Sequence, residues 1–138
     1  MTYEEYADVI KGSCLCGAVS SRAVGLTAPV EVCHCTQCRK WTGHFFANVE
    51  VPRSSLAIFG EQYIAWYKSS PKVRRGFCST CGSTLFFDPL DHVKHEWVGI
   101  AMGALDTNIK SRVALHILRR RRAVTTLLPK ESRSVEHE

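Results

Sequence analysis

All seven cysteines of this chain lie in short motifs, and this clustering is the first indication of chemistry. The motifs are C-x-C, C-x-C-x-x-C and C-x-x-C, formed by Cys14 and Cys16, by Cys33, Cys35 and Cys38, and by Cys78 and Cys81. In a reducing compartment, clustered cysteines indicate metal ligands or redox groups before disulfides. The odd total also argues against a scaffold in which every cysteine is paired.

Counting zinc ligands divides the seven into four and three. A structural zinc takes four protein ligands, whereas a catalytic zinc keeps three and leaves one position open. The two pairs then form a closed site and the triplet an open one, which predicts two Zn²⁺ ions per chain. Both pairs are followed by glycine, at Gly17 and Gly82, which allows a tight backbone turn. One zinc with three spare thiols is the alternative that counting leaves open.

The residues after the triplet are candidates for binding and proton transfer. Arg39 and Lys40 could offset the negative charge of three thiolates on zinc, or attract an anionic fourth ligand. Trp41 could line a pocket beside the cluster or lie in the core. His44 is a candidate fourth ligand and a candidate proton donor, with a surface or supporting role as the alternative.

Other polar residues near the motifs carry weaker expectations. His34 lies between two cysteines and is expected to point away from them in an extended segment. Tyr63 and Tyr67 are weaker candidates for proton donors. Arg74 and Arg75 precede Cys78 and are interpreted as a solvent-exposed face, with anion binding as the alternative.

The composition fits one ordinary globular domain. The chain has 138 residues, of which 45% are apolar and 22% charged. No stretch approaches the length of about 20 apolar residues that crosses a membrane, and the first residues lack a secretory pattern. We therefore predict a cytoplasmic protein without a membrane partner. The net charge of +5 comes largely from Arg119–Arg122, so nucleic acid is not an expected partner of the whole domain.

Short segments rich in Val, Ile, Phe, Tyr and Trp predict a mainly β domain of short antiparallel strands. The predicted strands cover residues 17–25, 30–33, 45–51, 56–60, 63–67, 84–88 and 96–101. One helical segment is predicted after the triplet, with Thr36 as its N-cap and Gly43 at its end. Residues 1–11 are expected to be peripheral.

Three stretches together resemble a known family. "GSCLCGAV" (12–19), "CHCTQCRKWTG" (33–43) and "FCSTCGSTLFF" (77–87) are similar, in this order, to the glutathione-dependent formaldehyde-activating enzymes, a family that includes centromere protein V. The resemblance covers about residues 11–118. It implies an Mss4-like, mainly β fold organised around zinc–cysteine sites.

The same resemblance implies roles for the cysteines and an activity. A structural zinc is expected on Cys14, Cys16, Cys78 and Cys81, and a catalytic or labile zinc on Cys33, Cys35 and Cys38. The implied reaction joins glutathione, as co-substrate, to formaldehyde or a related small aldehyde, and is classed as a carbon–sulfur lyase activity. Arg39, Lys40, Trp41 and His44 are the expected glutathione-binding residues, and a homo-oligomer is a further hypothesis.

The predicted organisation is an N-terminal extension (1–10), a zinc domain (11–118) and a divergent basic C-terminal tail (119–138). The tail departs from the family pattern, and a shifted reading frame in the source gene is an alternative explanation for it. Two other functions stay open at this point. One is a zinc-ribbon-like module that binds nucleic acid or protein, and the other is a thiol redox sensor that uses the triplet.

Overall fold

The computed structural model describes residues 9–109, 113–117, 120 and 133–135, without the side chains of 113–115 and 133–135. Most of the predicted extension (1–10) and of the predicted tail (119–138) lies outside these residues, so both boundaries stay predictions. No helix in these ranges is long and apolar enough to cross a membrane.

The described part of the chain is built mainly of short strands, which confirms the predicted mainly β class. The strands are β1 (Val9–Ser13), β2 (Ser20–Val24), β3 (Val30–Cys33), β4 (Phe46–Pro52), β5 (Ala57–Phe59), β6 (Ile64–Ser70), β7 (Val73–Cys78), β8 (Thr84–Pro89), β9 (Trp97–Ala101), β10 (Val113–Ile117) and β11 (Arg133–Val135). One α-helix, α1 (Thr36–Thr42), connects β3 to β4. Single 3₁₀ turns occur at Arg53–Ser55, Glu61–Tyr63 and Met102–Ala104.

The strands form two sheets. The small sheet has the order β1-β2-β5, and the large sheet has the order β11-β10-β3-β4-β9-β8-β7-β6. Pairing is antiparallel except at one end of the large sheet, where β10 runs parallel to both β3 and β11. The hairpin order of the other strands places β8 and β7, which flank the last cysteine pair, side by side near the edge of the large sheet that ends with β6.

Alternation along the strands gives the large sheet two different faces. One face contributes Val49 and Ile100, which are buried in the core together with Ile10 and Ala23 of the small sheet. On the other face, Cys33 lies opposite Phe46, and Glu50 lies opposite Gly99. Because neighbouring residues of a strand point to opposite faces, the second face holds the residues that line the site described below.

The sequence prediction missed four strands, which are β1, β7, β10 and β11. Residues 1–11 were expected to be peripheral, but Val9–Ser13 pairs with β2 and the side chain of Ile10 is 1% exposed. Strand β7 was missed because its arginines suggested an exposed segment. Arg74 instead stacks on Trp66 at 3.8 Å from the ring centroid and donates a hydrogen bond from Nε to Asp88 Oδ2 at 2.7 Å.

Candidate functional site

Four cysteines from two distant hairpins form one cluster. Cys14 and Cys16 lie in the turn after β1, while Cys78 ends β7 and Cys81 lies in the turn before β8. Their four Sγ atoms all lie within 4.8 Å of one another. The Cys14 and Cys16 sulfurs are 3.6 Å apart, and those of Cys16 and Cys78 are 3.8 Å apart. The cluster therefore ties the small sheet to the large one.

The two turns of this cluster share a backbone geometry. Gly17 and Gly82 have φ angles of 81° and 78°, in the left-handed region that favours glycine. Backbone N–H groups donate to the sulfurs, from Val19 to Cys14 at 3.3 Å and from Cys81 to Cys78 at 3.5 Å. Such turns aim N–H dipoles at sulfur and stabilise thiolates.

A serine further favours the ionised form of one thiol. The Ser83 hydroxyl lies 3.1 Å from Cys81 Sγ and accepts a hydrogen bond from the backbone N–H of Leu15 at 2.9 Å. Hydrogen bonds from the Ser83 side chain and backbone, and from the Cys16 backbone, lower the pKa of this thiol to about 5. Cys81 can therefore serve as a thiolate ligand near neutral pH.

The other three cysteines form a second cluster at the start of α1. Cys33 ends β3, Cys35 precedes the helix and Cys38 lies in its first turn, with their Sγ atoms within 4.8 Å of one another. All three are buried. The predicted N-cap was wrong, because Cys35 rather than Thr36 caps the helix: its Sγ accepts the Cys38 N–H at 3.3 Å. The predicted end is correct, with Gly43 at φ 91°.

Arg75 lies in the site, although the sequence analysis expected it elsewhere. It was expected on a solvent-exposed face, but its side chain is buried, with 2% exposed. Its Nη1 donates to Cys38 Sγ at 3.3 Å, and its Nη2 donates to Gln37 Oε1 at 3.3 Å. Its guanidinium also lies over the rings of Trp41 and Phe87, at 5.0 and 5.1 Å from their centroids. A buried cation thus contacts one thiol of the triplet.

The triplet is too crowded for its thiols to ionise without compensating charge. The hydrogen bond with Cys33 and the charge of Arg75 lower the pKa of Cys38, but Cys35 and burial outweigh them and raise it to about 12. A bound cation would remove this penalty, since thiolate is the ligand form of cysteine. Thiolates are soft donors that suit zinc. Each of the two clusters can therefore hold a metal ion.

The predicted binding residues lie around α1. Arg39 is half-buried, and Lys40 is exposed. Trp41 is half-buried and packs on Phe46, with ring centroids 4.9 Å apart. His44 is exposed and belongs to neither group of ligand atoms found in the described part of the chain.

Three further residues have positions that bear on their predicted roles. His34 is buried and lies with its Nε2 3.0 Å from His116 Nδ1. Tyr63 and Tyr67 are 44% and 65% exposed. The Tyr63 carbonyl accepts the Ser79 N–H at 2.7 Å, which places Tyr63 beside the turn of the four-cysteine cluster.

A cavity of about 400 Å³ reaches the triplet along the second face of the large sheet, and we call it the trough. Cys33 and Cys38 line one end. The other lining residues are Glu31, Phe46, Asn48, Glu50, Ser70, Lys72, Val73, Phe87, Pro89, His95, Trp97 and Ile117. Two thiols of the triplet therefore face a space large enough for a peptide-sized ligand.

A larger cavity, of about 690 Å³, lies beside the four-cysteine cluster and is lined by Cys14, Thr42 and Met102 among others. It reaches only Cys14, whose sulfur belongs to the group of four. Because a group of four thiols leaves a metal no open position, we regard the trough as the better candidate for a substrate site.

The floor of the trough is acidic and buried. Asn48 and Glu50 are 6% and 7% exposed, and Glu31 lies opposite Asn48 on the neighbouring strand. Burial, followed by the charge and hydrogen bond of Glu31, raises the pKa of Glu50 to about 8. The only sequence signal was two polar side chains, Asn48 and Glu50, within the apolar run of β4.

The raised pKa of Glu50 predicts that stability falls as the pH rises. The folded protein holds the Glu50 proton up to about pH 8, whereas the unfolded chain loses it near the ordinary value of 4.5. Between these values, each rise in pH therefore favours unfolding. We expect Glu50→Gln to remove this slope and to be more stable than the parent at pH 8.5, by about 1–3 kcal/mol.

Urea denaturation from pH 6 to 8.5 measures this effect. Glu61→Gln is the control, because Glu61 is exposed and should leave the slope unchanged. Parallel curves for the parent and Glu50→Gln would contradict the assignment.

The contacts of Arg75 predict that lysine cannot replace it. Arg75→Lys keeps the charge but loses the planar fork that reaches Cys38, Gln37 and Ser69, so we expect a loss of about 2–4 kcal/mol in unfolding free energy. Arg74→Lys is the matched control. The side chain of Arg74 is 41% exposed, and its replacement should cost about 1 kcal/mol or less. Equal losses in urea denaturation would show that Arg75 has no special role.

Comparison with known proteins agrees with the geometry. Residues 9–120 match the profile of the family described as glutathione-dependent formaldehyde-activating enzyme. Over 77 residues the chain is 31% identical to an uncharacterized lyase of Schizosaccharomyces pombe, and the aligned region covers 56% of each protein. Over 91 residues it is 35% identical to a protein of Halomonas elongata whose name assigns it provisionally to the formaldehyde-activating enzymes, covering 59% of this chain and 57% of the relative.

The chain thus spans a little over half the length of these two relatives. The family profile, in contrast, covers most of the chain and includes both cysteine clusters, the helix and the trough. The chain belongs to the glutathione-dependent formaldehyde-activating enzyme family.

Proposed function

We propose that this protein is a zinc-dependent enzyme that joins glutathione to formaldehyde, or to a related small aldehyde, as an S-hydroxymethyl adduct. The reverse direction cleaves the carbon–sulfur bond and gives the lyase class. The observation that carries the proposal is the position of the triplet, whose thiols Cys33 and Cys38 line one end of the trough. The family assignment supports the same reaction.

The two clusters have different roles in this proposal. Cys14, Cys16, Cys78 and Cys81 would hold a structural zinc, because four thiols complete a tetrahedral site. Cys33, Cys35 and Cys38 would hold a second zinc with one position left for a ligand. A zinc ion at the triplet would supply a Lewis acid that keeps the glutathione sulfur in its thiolate form at neutral pH.

Arg75 makes the triplet suitable for such a thiol. Three cysteine thiolates and a substrate thiolate together carry more negative charge than one divalent cation neutralises, and strongly held sulfur is a poor nucleophile. The Arg75 guanidinium contacts Cys38 in a buried site, where its charge is weakly screened. It therefore performs the compensation that the sequence analysis assigned to Arg39 and Lys40.

Arg39 and Lys40 are left with the second of their predicted roles. They lie on α1 beside the cluster, and Lys40 is exposed. From there they can attract the glutathione carboxylates, with Trp41 packed below them on Phe46. His44 stays a proposal as a glutathione contact and proton donor, since its position at the end of the helix is exposed.

The chemical step needs little beyond proximity. The thiolate attacks the aldehyde carbon, a carbon–sulfur bond forms, and the carbonyl electron pair moves to oxygen, which then takes a proton. The trough is bordered by the exposed Lys72, so water can enter and supply this proton. Holding the two reactants together accounts for much of the rate enhancement, because free thiols add readily to formaldehyde.

One prediction of the proposed function concerns catalytic activity. In the presence of glutathione and formaldehyde, the protein should accelerate formation and breakdown of the adduct, measured by exchange spectroscopy in NMR at equilibrium. Cys35→Ser should reduce this acceleration at least 100-fold, because it removes a ligand of the open site. Thr36→Ser, next to it and exposed, is the control. An exchange rate equal to that of the free reactants would refute the proposed reaction.

Another prediction of the proposed function concerns the metal content of the protein. Elemental analysis should find about two zinc ions per chain, as the resemblance implies. Cys35→Ser should lose one and keep the circular dichroism of the parent. Cys81→Ser should lose the other and unfold, because its cluster joins the two sheets and its metal contributes to folding. If both variants stay folded with two zinc ions, the assignment of the clusters is wrong.

A further inference from the structure

We propose that the floor of the trough, formed by Glu31, Asn48 and Glu50, is a subsite for the protonated amine of the thiol substrate. The inference rests on the proposed function, since it assigns a binding place to the far end of a ligand whose sulfur lies at the triplet. It goes further by giving the site a preference for one chemical class, which is thiols that carry an ammonium group several bonds from the sulfur.

The register of the sheet places the subsite at a suitable distance. Cys33 lies opposite Phe46, Glu31 opposite Asn48, and Glu50 opposite Gly99, all on one face. With a rise of about 3.3 Å per residue, Glu50 lies about 13 Å along β4 from Phe46. A γ-glutamyl-cysteinyl thiol spans about 10 Å from sulfur to amine when extended. The side chains of Cys33 and Glu50 project into the trough and bridge the difference.

Gly99 lets two side chains that line the trough pack closely over the sheet. A Cβ atom at this position would lie 3.0 Å from Asn48 Oδ1 and 3.2 Å from Phe87 Cβ. A side chain has no room there, so glycine lets Asn48 and Phe87 pack directly over the strand beside the trough.

Asn48 provides an acceptor that needs a donor. Its side chain is 6% exposed, and its Oδ1 has no hydrogen-bond partner among the residues that the structure describes. Buried acceptors are rarely left without a partner, so one left at the floor of a cavity indicates a ligand that donates.

The two carboxyl groups indicate that the donor is positively charged. Neither Glu31 nor Glu50 forms an ion pair with a cation of the described residues, whose ion pairs centre on Asp88 instead. Lys72 and His95 line the same trough, and Lys72 is exposed. An ammonium group carries three N–H donors, which match one amide oxygen and two carboxyl groups.

In the free protein, a proton on Glu50 partly takes the place of the ammonium group. Burial, followed by the charge and hydrogen bond of Glu31, raises the pKa of Glu50 to about 8, so Glu50 holds a proton at neutral pH. A bound ammonium group would take the place of that proton and supply the missing donor to Asn48.

Calorimetric titration of the zinc-loaded protein tests the subsite with two ligands. These are glutathione and its des-amino analogue, glutaryl-cysteinyl-glycine, which keeps the thiol and the glycine carboxylate but lacks the amine. We expect glutathione to bind the parent at least tenfold more tightly than the analogue, because charge-assisted hydrogen bonds are lost. Glu50→Gln should reduce this preference to less than threefold, while the control Glu61→Gln keeps it.

The outcomes separate this inference from the proposed function. Equal affinity of the parent for both ligands, with adduct formation still catalysed, would overturn the subsite and leave the reaction in place. A tenfold preference that persists in folded Glu50→Gln and in folded Gly99→Ala would also overturn it, because the amine would then be recognised elsewhere. Binding of neither ligand would overturn both the subsite and the proposed reaction.

Discussion

The structure depends on one constraint, which is that the three cysteine sulfurs of the triplet are packed together in the protein interior. Three thiols within 4.8 Å of one another cannot all be ionised in the interior unless positive charge lies beside them. The protein places a guanidinium there, with Arg75 of β7 reaching Cys38 of α1. This contact requires β7 to lie next to β8, since Phe87 of β8 lies opposite Arg75 and covers its guanidinium. The order of strands at one edge of the large sheet therefore serves the charge balance of the triplet.

The two faces of the large sheet have different neighbours, which explains where polar residues occur on it. One face packs on the small sheet through Val49 and Ile100, as expected for a β sandwich. The other face is covered at one end by α1 and left open along the trough. Asn48 and Glu50 alternate with core valines on β4, so they point into the trough. Burying them costs free energy, and sites that bear such a cost are more often used for binding than for stability.

Local patterns predicted the cysteine grouping and most strands, because these depend on nearby residues. The spacing of the motifs and the count of ligands were enough to divide the cysteines into four and three, and the structure brings the same groups together. Partners distant in sequence could not be predicted in the same way. Arg75 looked exposed because nothing near it in sequence shows that Trp41 and Phe87 enclose it. Ile10 looked peripheral because its strand exists only through pairing with β2.

A thiol site alone cannot tell one cellular thiol from another, since sulfur offers the same ligand in each. Discrimination must come from groups that contact the rest of the molecule. The trough gives the protein such groups on a rigid sheet, where Glu31 and Glu50 are held by strand register. Buried polar groups reject a ligand that leaves them unpaired more strongly than an apolar wall rejects a poor fit. Under the proposed function, the cysteines would provide reactivity, and the second face of the sheet would provide selectivity.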